Sequence, residues 1–324
     1  RAFTGYSAVC IIMPVALRRP PVRMATNRSK RSAKNPSESL STRALALAVG
    51  VSESSIKRWV DDGTIRSTRT AGGHRRIRRA DAIRFVRDTH ATVVAPQILG
   101  LAVGPQAMTV ASAGTVLTDL LVRGAEHEAR ALLEGLYVAG EPLAAILDGP
   151  LRAALEHIGT IWRQDRTGIF LEHRAVQICV RALSQLSTLV PAPADAPAAV
   201  GGAVAGDPYL LPSMAAALVL AGEGFDPVNL GADLPAPSLA EAMTRLDARI
   251  VWVSVSTAAD APALGRELAS LVEAAAARHT HVVVGGRAAT KVPLHGAPNL
   301  YAGSSMAELA AFARGLRANA PAPA

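Results

Sequence analysis

Apolar and polar positions change period along the chain, and the changes divide it. From Leu40 to about His90, apolar groups at three- and four-residue spacing alternate with turn residues, which predicts short helices and turns. Four apolar-periodic helical segments follow over 111–190, interrupted near Gly124, at Gly140-Glu141-Pro142 and around Asp165 to Gly168, and they predict a four-helix bundle. Beyond it, apolar runs at 198–204, 228–230, 250–254 and 281–284 alternate with Ala- and Leu-rich helical stretches. Strand, helix, strand in this repetition predicts a Rossmann-like, doubly wound parallel sheet over 198–320. Residues 91–110, with Pro96, Gly100, Gly104 and Pro105, read as a linker, and Pro191 to Pro197 as a second one. Residues 1–39 carry no apolar period and read as a disordered basic arm. The first residue is not Met; Met13 or Met24 is expected as an alternative start, and no site is placed in the arm.

With half of its 324 positions hydrophobic and 4% aromatic, the chain can bury sizeable cores, which excludes a disordered polypeptide or a disulfide-stapled miniprotein. Cys10 and Cys179 match no metal-ligand spacing, so a reducing cytoplasm is expected and a structural zinc is not. The apolar stretch from Val9 to Leu17 is interrupted by Pro14 and followed by Arg18 and Arg19, unlike a signal peptide. Runs such as Met214 to Ala221 fall short of the roughly 18 residues of a membrane span, and no membrane partner is expected. The net charge of +8 is unevenly held: residues 1–90 carry 19 Lys and Arg against 6 Asp and Glu, whereas the remainder is net acidic. The N-terminal end therefore faces a polyanion, or else presents a solvated basic face.

Within Ser41 to Asp62 two helix signals flank a tight turn at Gly50-Val51. Ser52 is placed as N-cap of the second helix, with Glu53 suited to its dipole and Gly63 as its stop. Such a helix enters the major groove, offering Glu53, Ser54, Lys57 and Arg58, while Ile56 and Trp59 face the core. Next comes a hairpin whose tip is Gly72-Gly73-His74, with Arg69, Arg75 and Arg76 set to lie along phosphates as a wing. His74 has no second ligand at metal spacing and reads as a phosphate or backbone contact. The run Gly50-Val51-Ser52, Arg58-Trp59, Asp61-Asp62-Gly63 and Arg69 to Ile77 resembles the winged domain of MerR-type regulators, which implies binding to double-stranded DNA.

In the C-terminal half, Trp162 stands nine residues before Glu172-His173; by burial preference alone, Trp162 is bundle core and the pair is solvated. After the first strand comes Asp207-Pro208-Tyr209-Leu210-Leu211-Pro212, then Asn229 to Pro235, then Ser254-Val255-Ser256, then Gly285-Gly286. This layout resembles the cobalamin-binding module of light-responsive MerR-type repressors and methionine-synthase-like proteins. The resemblance implies that Trp162, Glu172 and His173 cap the upper corrin face. It also implies that the cofactor tail enters between the Ser-x-Leu segment and the Gly-Gly pair, where small residues let a ligand approach the backbone. The family's lower loop reads Asp-x-His-x-x-Gly, its His being the axial cobalt ligand. Here Asp207 is kept, Tyr209 stands for the His, Pro212 for the Gly, and Ser256 for the Leu, so an axial His is absent and no metal ligand is assigned. The cleft is left with cobalamin lacking a protein lower ligand, with a different ligand, or with a purely oligomeric role.

The sequence thus reads as a cytoplasmic, sequence-specific transcriptional regulator, a repressor, at least dimeric on DNA, with a cobalamin-type sensor or assembly module. A corrinoid methyl-carrier enzyme is the rival from another class, and two scattered cysteines offer it no zinc-thiolate site.

Overall fold

Two serines start the two helices of the head. In this computed structural model, which describes residues 39–101, 109–162, 167–190, 193, 195–294 and 296–318, Ser41 caps α1 (Thr42–Val49) and Ser52 caps α2 (Glu53–Asp61). Each serine side chain accepts a backbone N–H of its helix's first turn, from Ala44 and Ser55 at 3.1 Å. Gly50 between them takes φ +72°, which reverses the chain at no steric cost. The Thr42 hydroxyl donates to Glu53 at 2.8 Å and ties the start of α2 to α1. A three-stranded antiparallel sheet follows: β1 (Ser39–Leu40) and β2 (Thr68–Arg69) flank β3 (Arg75–Arg78). Helix α3 (Arg79–Thr89) closes the head over a core of Leu45, Ile56, Ile65, Ile77, Ile83 and Phe85, with Trp59 packed against Phe85 at 5.1 Å between ring centroids.

The first part of the expected 91–110 linker is instead built into the head. Val94 and Ala95 donate to the carbonyl of Ala48, residues Pro96–Leu99 form a 3-10 turn, and Leu99 is fully buried. Arg79 donates to the carbonyls of Leu99 and Gly100, satisfying the end of that turn. Residues 102–108, like the basic arm up to residue 38 and Cys10, lie outside the described residues.

The helical segments of 110–190 are α4 (Val110–Arg123), α5 (Glu126–Val138), a run from α6 (Leu143–Ile146) through a π-helical turn at Leu147–Leu151 into α7 (Arg152–Trp162), and α8 (Thr167–Ser187). Pro150 within that run accounts for the π turn, since it cannot donate to the helical ladder. The sheet is parallel with order β5-β4-β6-β7-β8: β4 (Ala198–Ala203), β5 (Asp226–Asn229), β6 (Ile250–Ser254), β7 (His281–Gly285) and β8 (Leu300–Ala302). Helices α9 (Leu211–Gly222), α10 (Ala236–Leu246), α11 (Ala261–Ala276) and α12 (Met306–Ala318) connect or follow the strands. The fold is therefore multidomain, α and α/β, with β8 as a strand the sequence pattern did not mark. Strand order reverses at β4, so the crevice at the carboxyl ends of β4 and β6 is the topological switch point. Pro227 falls on the edge strand β5, where a missing donor does least harm. No helix among the described residues is long and apolar enough to cross a membrane.

Candidate nucleic-acid interface and ligand cleft

The head's cations divide into bound and free. Arg75 is half-buried and its guanidinium is bonded to Asp61, so it ties the wing to the end of α2. Lys57 pairs with Glu53 at 3.1 Å, and this, after the Thr42 hydrogen bond, holds the Glu53 carboxyl below its ordinary range. By contrast Arg58, Arg69 and Arg76, expected from the sequence, are exposed without an ion pair among the described residues, as are Arg43 and Arg66, which sequence reasoning passed over. Arg43 lies on α1, the first helix of the motif, and Arg66 in the loop before β2. Ser54 is exposed, its hydroxyl 2.8 Å from that of Ser52. The wing tip is a tight turn: Gly73 donates to the Thr70 carbonyl at 2.9 Å with φ +78°, and Gly72 and His74 are exposed beside it. His74 donates its N–H to the Thr70 hydroxyl, and no group of His, Cys, Asp and Glu among the described residues could hold a metal ion.

At the switch point Asp207 is fully buried, and both its oxygens are engaged. Oδ1 accepts from the Tyr209 N–H at 3.0 Å; Oδ2 accepts from the Ser256 N–H and, at 3.4 Å, from Thr257. The residue staples the β4 loop to the end of β6. Tyr209 is exposed and its ring lies under the Arg287 guanidinium at 5.0 Å, while Arg287 donates to the Ser256 carbonyl at 3.0 Å. Arg287 directly follows the glycine pair, and a reading that stopped at the glycines missed it. Ser254 and Ser256 are buried, and the Ser256 hydroxyl has no hydrogen-bond partner among the described residues. Gly286, at φ +111°, lies so close to the Val255 backbone that a Cβ would stand 2.4 Å from its carbonyl oxygen. Packing between strand ends thus requires glycine there whether or not a ligand approaches; Gly285 is less constrained, with the Gly303 carbonyl 3.3 Å from such a Cβ. Deeper in, the Trp252 indole N–H donates to Ser213 at 3.0 Å, Ser213 donates to Asn229, and Asn229 accepts from the Gly231 N–H, closing a buried network under α9.

Helix α8 packs along α9 and their carboxyl ends meet, since Val190 and Pro193 line one cavity with Val219 and Gly222 to Gly224. With 21 residues against 12, α8 is about 32 Å long and α9 about 18 Å. The first turns of α8 carry Ile169 and Phe170, both exposed, half-buried Glu172 and exposed His173. Glu172 and His173 have no hydrogen-bond partner among the described residues, whereas Arg174 lies over the Phe170 ring at 4.9 Å. Trp162 closes α7, and its side chain lies outside the described residues.

A helix-turn-helix domain family matches residues 39–89, and that segment is a helix-turn-helix domain. A comparison with curated proteins finds no match. Among solved structures, the chain is similar to the monomethylamine corrinoid protein of Methanosarcina barkeri, at 17% identity over 62% of this chain and 96% of that one, with a TM-score of 0.46. It is similar also to a cobalamin-binding protein from Desulfitobacterium hafniense DCB-2, at 16% identity over 64% of this chain and 97% of that one, TM-score 0.33. The methanol:cobalamin methyltransferase complex MtaBC from Methanosarcina barkeri gives 14% identity over 67% and 87%, with a TM-score of 0.33.

Proposed function

We propose that the chain is a sequence-specific, MerR-type transcriptional regulator, a repressor rather than an enzyme, whose C-terminal half is a cobalamin-type sensor and assembly module. The observation that carries the first part is the set of exposed cations outside ion pairs, Arg43, Arg58, Arg66, Arg69 and Arg76, on the two helices and wing of one head. Phosphate neutralisation by such cations supplies affinity, while α2 in the major groove reads base edges. One small head reads few base pairs, so the bound form is at least a homodimer on a two-fold site. A protein acting on DNA in this way works in the cytoplasm. Selection of duplexes from a random pool by the full chain tests this: recovery of one two-fold motif supports it, and recovery without sequence preference overturns it.

The corrinoid reading rests on the first turns of α8, where Phe170 and His173 are exposed and neither Glu172 nor His173 has a hydrogen-bond partner among the described residues. The lower loop does not fit an axial imidazole, because Tyr209 stands at the position of the His and its ring stacks with Arg287. A corrinoid held here would be met by Glu172 and His173 and would supply cobalt chemistry. The lower-loop contacts favour a second reading, a ligand-free assembly scaffold. Absorbance after incubation with cobalamins in the dark separates the two: a retained corrinoid band that survives gel filtration supports the sensor, and its absence leaves the scaffold.

A further inference from the structure

The head does not hang free of the rest of the chain. Arg87 of α3 stacks on the Tyr137 ring at 3.8 Å and donates to the Glu141 carbonyl at 3.3 and 3.4 Å, joining the head to α5 and the turn after it. Beside this joint is a cavity of about 330 Å³, walled by all three parts of the molecule. Arg84, Arg87 and Asp88 come from the head, Tyr137, Pro142 and Leu143 from the bundle, and Val219 and Gly222 to Gly224 from the end of α9.

Its polar groups are incompletely served. Tyr137 is only 5% exposed, yet its hydroxyl makes no hydrogen bond among the described residues. Arg84 has no hydrogen bond or ion pair there either, and Arg87 has only its two long bonds to a carbonyl. Burial lowers the Arg87 pKa and raises that of Tyr137, as expected of groups short of polar partners. The facing carboxylates are Asp88, exposed, and Glu223, which is bonded to Arg314 at 2.8 Å. Two arginines and the Arg314 to Glu223 pair against Asp88 leave about one uncompensated positive charge. The opposite wall, with Pro142, Leu143, Val190 and Val219, is apolar.

We propose that this junction cavity is an effector site for a small amphipathic monocarboxylate. Its carboxylate meets the Arg84 and Arg87 guanidinium groups and the Tyr137 hydroxyl, and its hydrocarbon body lies against Leu143 and Val219. Guanidinium and carboxylate match in a paired donor geometry, and the volume suits a molecule of that size. Because the walls come from three parts of the chain, occupancy holds the head in its docked orientation and so couples a metabolite to the DNA-binding surface. This site is separate from the cleft at the carboxyl end of the sheet and does not depend on a corrinoid.

The test is calorimetric titration of the full chain with octanoate and benzoate, each beside its neutral amide. At least one carboxylate is expected to bind at millimolar concentration or below and the amides are not. Loss of one charge-assisted contact in Arg84→Ala should weaken binding roughly tenfold. Arg84 has no described partner to lose, so this variant leaves the joint intact; Tyr137→Phe, checked by circular dichroism, should weaken binding several-fold. Failure of both carboxylates to bind, equal binding of the amides, or unchanged affinity in Arg84→Ala would overturn the proposal.

Discussion

Neighbouring arginines on the wing have different work. Arg76 is exposed and outside ion pairs, whereas Arg75 is bonded to Asp61. Arg76→Ala should leave stability unchanged and lower the salt slope of duplex binding by about one unit. Arg75→Ala should cost at most about 1 kcal/mol of stability, since the pair is only partly buried, and urea denaturation checks the contrast. Buried polar residues respond more strongly. Ser213→Ala strands the Trp252 indole N–H and costs about 1–3 kcal/mol by the same measurement. Burial alone pushes the Cys179 thiol up to about 12, so it stays a neutral thiol at pH 8. In a Cys10→Ser variant, Cys179 should react with a thiol reagent only on unfolding, and fast reaction of the native chain would contradict its burial. Asp61 and Arg75 are 14 positions apart and meet only through the fold, which is why the sequence offered all the wing arginines as equal phosphate contacts.

At the scale of elements, the continuous apolar runs of β4, β6 and β7 were legible because both sheet faces are covered, which leaves little room for polar residues. Strand β8 was not, since Leu300-Tyr301-Ala302 is too short to show a period and takes its structure from pairing with β7. Pro96 and Gly100 made 91–101 look like a tether, yet they bound a 3-10 turn that buries Leu99. That element depends on Arg79. Replacing it by Ala should strip amide-exchange protection from Val94 to Leu101 while leaving α2 protected; unchanged protection would mean that Leu99 burial alone holds the segment. The capping serine was legible from its place before Glu53, and Ser52→Ala should cost about 1 kcal/mol in head stability.

For the whole molecule, the division into a basic head and an acidic remainder was readable from charge, and the helix-turn-helix from its turn and caps. The docking of the head on the bundle was not, because Arg87, Tyr137 and Glu141 belong to segments that look independent in sequence. The chemistry at the switch point was not legible, because the bonds of Asp207 and the stacking of Arg287 on Tyr209 exist only in the folded chain.

The proposed DNA contact runs through the unpaired arginines of the head. The measurement that meets it most directly is the affinity of the full chain for a duplex over a series of salt concentrations, for wild type and for Arg58→Ala with Arg76→Ala. Duplex affinity should fall steeply with salt, with a slope smaller by about two units per head in the double variant. Absence of duplex binding by the wild type, or an identical slope in the variant, would contradict it.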